Sequence, residues 1–206
     1  MMNPARTPLV IAVLCSLLLS ARVSALAPLD SLGVWVQRVA ARNAIAHDVA
    51  AYKFVAGRPI EDPQREAAVL AGKRDRAVQL GLDPDAVEAA YRQLIEANKL
   101  LQHVDIQHFL LGRTPSPPPS LDAIRERIDT LDERLLSHWA QLDDVRSAPD
   151  CPRQLARAIA RQGTQSEPLD DATRIALVRA TLGFCPHDGV PAGGAAGAAQ
   201  NDAAGH

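Results

Sequence analysis

The chain has 206 residues, 47% hydrophobic and 22% charged, values that belong to a globular protein and exclude disorder throughout. Aromatic residues make up only 3%, and Ala, Leu, Arg, Glu and Gln dominate over β-branched runs, so an all-α fold is predicted and a β-sandwich or barrel is disfavoured. With 22 basic against 24 acidic residues, a net charge of −2, there is no polybasic field for a nucleic-acid backbone or an anionic membrane surface. Any anionic ligand must be small and met locally.

Residues 1–25 read as a cleavable secretory signal peptide. Arg6 precedes an apolar run, and Val23-Ser24-Ala25 offers small residues for cleavage. The run is about a dozen residues, short of the roughly 20 that span a bilayer core, which disfavours a retained membrane anchor. Cleavage removes Arg6 and Arg22 and no acid, leaving 20 basic against 24 acidic residues in a periplasmic or secreted chain. Cys15 leaves with the signal, so Cys151 and Cys185 remain, and in an oxidising compartment they are expected to form one disulfide. Their spacing fits neither a zinc site nor a redox pair. His103 and His108 diverge on a helix, so no metal is expected.

Gly and Pro divide the remaining sequence into long helical stretches. The first is predicted over about 30–56 and ends at Gly57-Arg58-Pro59. Asp62-Pro63, a capping carboxylate followed by proline in the first turn, starts a second that Gly81 stops after about residue 80. Asp83-Pro84 repeats the start signal for a third, reaching about residue 111. The proline-rich stretch 114–119 is a stiff linker. A fourth helix follows over about 120–146, then shorter ones over about 152–162 and 169–182. Residues 26–188 thus form one helical domain, and the Ala/Gly-rich residues 189–206 are expected to be a disordered tail.

Polar residues stand on helix faces that should be apolar. Val39, Ala46, Val49, Ala50 and Phe54 mark a buried stripe on the first helix, and Arg42 and Lys53 lie on it. Eleven residues apart, they return to within about 20° of one direction and can converge on one anion, or else snorkel to water. On the third helix, Tyr91, Leu94, Ile95, Leu101 and Phe109 form the apolar face, interrupted by Asn98 and Gln102. A buried amide without a partner costs about 1 to 3 kcal/mol, so these two bond to each other, to a neighbouring helix, to water or to a ligand. Asp62, Arg65 and Glu66 open the second helix between these faces. The set has no nucleophile with a base beside it. It suits a small dianion surrounded by donors, and any catalysis would be positional and electrostatic.

Arg42, Lys53, the run Pro59-Ile60-Glu61-Asp62-Pro63-Gln64-Arg65-Glu66, and the pair Asn98 and Gln102 resemble the all-helical chorismate mutases. With the signal peptide, the resemblance is to their secreted (gamma) subclass and covers about residues 32–185. It implies a type II helical bundle whose C-terminal extension is stapled by a Cys151–Cys185 disulfide, and a homodimer. It also implies conversion of chorismate to prephenate by a Claisen rearrangement, without cofactor or covalent intermediate. Arg42 and Arg65 would clamp substrate carboxylates. Lys53 would serve a carboxylate and the ether oxygen, and Gln102 would give that oxygen its second hydrogen bond. Asn98 stands where the family often has a small hydroxyl residue, departing from the type but keeping a donor. Asp62 and Glu66 would orient the ring hydroxyl. Arg125, early in the helix after the linker, would complete the site in preference to Arg127. After the signal there is no room for a fused dehydratase or dehydrogenase domain. The competing reading is a secreted helical protein that binds a small dianion without turning it over.

Overall fold

The structure, a computed structural model, describes residues 30–165 and 169–186. The expected signal peptide and the expected tail lie outside the described residues. The described chain forms α1 (Ser31–Ala44), α2 (Ala46–Val55), α3 (Pro63–Gln79), α4 (Pro84–Leu110), α5 (Leu121–Trp139), α6 (Asp143–Ser147), α7 (Cys151–Gln165) and α8 (Asp171–Ala180), with no strand among the described residues.

The helix starts follow the sequence signals. Asp62 accepts the Arg65 N–H at 3.1 Å, Asp83 accepts the Asp85 N–H at 2.9 Å, and Ser120 accepts the Ala123 N–H at 3.2 Å. Each closes a donor that the first helical turn leaves open. Gly81 stops α3 at φ 70°, and the Leu82 N–H turns back to the Ala77 carbonyl at 2.9 Å.

Two expected helices are interrupted. The stretch predicted over about 30–56 divides at Ile45 into α1 and α2, where no Gly or Pro marks a break; the adjacent Asn43 sends its Nδ2 donor to the Ala176 carbonyl of α8 at 3.2 Å. The stretch predicted to run to about residue 146 ends at Trp139. A turn at 140–142 lets the chain fold back, burying Leu142 and bringing the Arg146 guanidinium 4.7 Å from the Trp139 ring. A straight helix would carry both residues past the end of the core. Phe54, expected on the buried stripe, is 36% exposed, its ring set against that of Phe109 with centroids 5.2 Å apart.

The long α4 is the spine: α2, α3 and α8 all pack on it, while α1 packs against α5, α7 and α8. At one end, Phe184 is fully buried between Trp35 and Trp139, at centroid distances of 4.2 and 5.5 Å. Beside it the expected disulfide joins Cys151, first residue of α7, to Cys185, Cα atoms 5.9 Å apart. Closing this loop of 34 residues contributes about 2 to 4 kcal/mol in the chain-entropy model. No described helix is long and apolar enough to cross a membrane.

His138 lies in the α1–α5 seam, its Nε2 2.9 Å from the Ser31 hydroxyl and its Nδ1 buried without a partner. Burial, helped by the charge of Arg38, pushes its pKa below the ordinary value. The fold therefore favours the neutral ring. The cost is absent above the unfolded pKa of about 6.5, grows as pH falls from there to the lowered folded value, and is constant below it. Urea titrations from pH 7 to 5 should show His138→Gln losing less stability on acidification than the parent protein.

Candidate active site

The site begins where α2 ends. Gly57 adopts φ 61°, and the Arg58 N–H returns to the Lys53 carbonyl at 2.8 Å. This reversal ends α2 just past Lys53 and sends the 57–62 loop back over it. Lys53 Nζ then donates to the Ile60 carbonyl at 2.5 Å. Its surroundings are mixed: burial lowers the Lys53 pKa, opposed by the carboxylates of Asp62, Glu66 and Glu61.

Around Lys53 lies a cavity of about 600 Å³, of a size that holds small molecules. Arg42 comes to it from α1, and Arg65 and Glu66 from the first turn of α3 with Asp62 at its cap. Asn98 and Gln102 come from α4, and Arg125 from α5. All eight site residues expected from the sequence thus line one cavity. Arg127 is not among its walls; it pairs with Asp48. A groove of about 630 Å³ opens between α3 and α4, but most of its charges are already matched, Arg74 by Asp85 and Glu88, and Arg92 by Glu88.

Asn98 and Gln102 are 8% and 3% exposed, and Gln102 Nε2 donates to Asn98 Oδ1 at 2.8 Å. That bond uses one of the two Nε2 hydrogens. Asn98 Nδ2 and Gln102 Oε1 are buried without partners, so this amide pair does not satisfy itself. The Arg65 guanidinium pairs with no carboxylate among the described residues, and its helix start is fixed by Asp62 and Glu66: the Asp62 N–H donates to Glu66 Oε1 at 3.3 Å. Arg125 is half exposed, 3.5 Å from Asp122.

Sequence reading missed the support beneath Arg42. Asp132 of α5 has no exposure and accepts Arg42 Nε at 2.9 Å. Lys73 Nζ of α3 forms an ion pair with Asp132 Oδ2 at 2.8 Å. The Tyr91 hydroxyl of α4 donates to the Asp132 carbonyl at 3.2 Å; burial, then the Asp132 charge, raises its pKa well above the usual value. Arg42 Nη1 remains buried without a partner. The signal for Asp132 was there: it falls on the apolar stripe of Ile124, Ile128 and Leu135. Arg58 and Lys99 are further cavity cations that the sequence reading did not assign.

No described group of three or more His, Cys, Asp or Glu side chains could hold a metal ion. What the cavity presents is six cations and three carboxylates, Glu61, Asp62 and Glu66, with two open amides. That arrangement orients an anion and stabilises charge; it contains no activated nucleophile.

Residues 35–103 match the family model for chorismate mutase type II. The secreted chorismate mutase of Mycobacterium tuberculosis is 35% identical over 162 residues, 76% of this chain and 79% of that protein. The chain belongs to the type II chorismate mutase family. A secreted chorismate mutase from Mycolicibacterium smegmatis is 33% identical over 152 residues, 73% of this chain and 83% of that one. The crystal structure of a chorismate mutase from Burkholderia thailandensis matches with a TM-score of 0.71 at 34% identity, over 75% of this chain and 99% of that one. The segment matched by the chorismate mutase model contains Arg42, Lys53, Arg65, Asn98 and Gln102, whereas Arg125 and Asp132 lie beyond it.

Asp132→Asn leaves Arg42 and Lys73 facing a neutral group in the interior. Breaking a buried pair from one side costs about 3 to 5 kcal/mol, and urea unfolding should show a loss of that order.

Proposed function

We propose that this chain is an exported chorismate mutase that converts chorismate to prephenate by the Claisen rearrangement implied by its family. The observation that carries the proposal is the convergence of Arg42, Lys53, Arg65, Asn98, Gln102 and Arg125 on one cavity with donors left open. The substrate is a dianion, and the cavity's cations exceed its carboxylates. In the reaction the ether carbon–oxygen bond breaks while a carbon–carbon bond forms within the same molecule, and the ether oxygen gains negative charge on the way. No group need be transferred to the protein, in keeping with a cavity that lacks a nucleophile.

The roles are those the family resemblance implies, and placement in the cavity supports them. Arg42, held at Nε by Asp132, offers Nη1 to one carboxylate. Arg65 and Arg125 reach the substrate from the exposed rim of the cavity. Lys53 exchanges the Ile60 carbonyl for a carboxylate and the ether oxygen, and the second Nε2 hydrogen of Gln102 completes the donors on that oxygen. Asn98 supports Gln102 and keeps a donor for a carboxylate, while Glu66 and the Asp62 backbone orient the ring hydroxyl. Donors fixed in advance stabilise the transition state more than the ground state, which is the source of the rate. By the same family resemblance the protein works as a homodimer, and residues 1–25 direct its export.

The deciding experiment incubates the purified protein, signal removed, with chorismate, follows substrate loss by ultraviolet absorbance, and identifies prephenate after acid treatment. Lys53→Ala should lower kcat/KM by about 100-fold or more with helicity unchanged. Near-normal turnover in that variant would place the chemistry elsewhere. A folded, disulfide-bonded parent that binds chorismate in calorimetry without forming prephenate would identify a non-catalytic dianion-binding protein.

Gln102 donates at every pH, so activity should be nearly flat from mildly acid to mildly alkaline conditions. A Gln102→Glu carboxyl donates only while protonated, and burial raises its pKa. Activity of that variant should therefore be present below the raised pKa and lost as pH rises through it, measured as kcat/KM against pH.

A further inference from the structure

Lys99 lines the cavity one position beyond Asn98, yet the roles above do not use it. Its side chain is 12% exposed, and its ammonium meets three carboxylates: Glu61 at 2.8 Å, Glu96 at 2.8 Å and Glu66 at 3.2 Å. Lys99 hydrogen-bonds to Glu61 and Glu66 and pairs by charge with Glu96. Lys99 therefore does not serve as a further clamp on substrate. The three acids come from three places, the 57–62 loop, α3 and α4 itself, so one cation ties them together.

Two consequences for the site follow from these contacts. Glu61 is the neighbour of Ile60, whose carbonyl holds Lys53 Nζ, so the Glu61–Lys99 pair fixes the segment that positions Lys53. Glu66 bridges the Asp62 N–H through one oxygen and Lys99 through the other, so Lys99 also sets the Glu66 carboxylate. Without the ammonium, Glu61 and Glu66 would face, uncompensated by it, a cavity proposed for a dianion, with Glu96 in the neighbouring groove. The electrostatics are consistent: burial works against charge on Lys99, but its contacts with Glu61, Glu96 and Glu66 raise its pKa, and the Glu61 pKa is lowered by its bond to Lys99.

We propose that Lys99 is a positioning residue of the reaction, strapping the 57–62 loop and the Glu66 carboxylate to α4 and cancelling an acidic wall that would otherwise repel the substrate. The inference rests on the chorismate mutase reading of the cavity for its kinetic part and on the contacts alone for its mechanical part.

Lys99→Met keeps the length of the side chain and removes its charge. At low ionic strength it should raise KM about tenfold, with a smaller fall in kcat, because repulsion between like charges acts on binding. The defect should shrink as salt is added, since the Debye length falls from about 10 Å at 0.1 M to about 3 Å at 1 M. Lys99→Arg should restore most of the affinity. A lysine that merely supported the fold would change the melting temperature without giving KM this salt dependence. A KM within twofold of the parent, or a defect that does not respond to salt, overturns the electrostatic role.

The strap is read separately by hydrogen exchange at the Arg58 and Asp62 amides, which should quicken in Lys99→Met and in Glu61→Gln. Unchanged exchange in both overturns it. Glu61 is exposed, so Glu61→Gln carries this measurement even if Lys99→Met fails to fold. If the parent protein does not turn over chorismate, the assignment of the reaction falls, while the exchange rates still decide whether Lys99 holds the loop.

Discussion

A carboxylate with no exposure to water must be compensated where it lies, and Asp132 is compensated by groups from the helices that build the site. Arg42 comes from α1, Lys73 from α3, and the Tyr91 hydroxyl from α4 meets the backbone of α5 at the same residue. Such clusters return little net stability, because desolvation offsets most of the attraction. What they impose is registry. Arg42 can satisfy Asp132 only when α1 and α5 stand in one relation, and in that relation its Nη1 is left for the cavity. The core charge that constrains the packing is therefore also the mounting of a candidate ligand cation.

The walls above this base are held by stops and caps. A backbone reversal fixed at the Lys53 carbonyl aims the loop, and a reciprocal pair between Asp62 and Glu66 fixes the start of α3. Rigid helix ends are suited to electrostatic catalysis, which gains from donors that need not reorganise during the reaction. The same logic accounts for polar atoms left open in the interior. Asn98 Nδ2 and Arg42 Nη1 are donors that are costly to bury alone, and an anion reaching them would supply the acceptors they lack.

Much of this was legible in the sequence because it is written in local chemistry. Asp62-Pro63, Asp83-Pro84, Gly57 and Gly81 mark helix ends through short-range bonds, and Arg42, Asn98 and Gln102 betrayed themselves by standing on apolar faces. What escaped depends on distant partners. The turn after Trp139 answers to Phe184, some forty positions on, and the break at Ile45 adjoins a bond to α8. Asp132 stands on an apolar stripe, but what makes it matter, Arg42 and Lys73, comes from other helices, and Lys99 looks like half of an ordinary i, i+3 surface pair with Glu96. Phe54 erred in the other direction, since hydrophobic periodicity does not say where a helix outruns its neighbours.

Arg146 bears on the corner that the Cys151–Cys185 disulfide closes. Its Nε donates to the Phe184 carbonyl at 2.9 Å, and its guanidinium lies over the Trp139 and Phe184 rings. Phe184 immediately precedes Cys185, so this clasp adds noncovalent contacts next to the covalent one. That corner is therefore held twice, by contacts that thermal motion can loosen and by a bond that only reduction undoes.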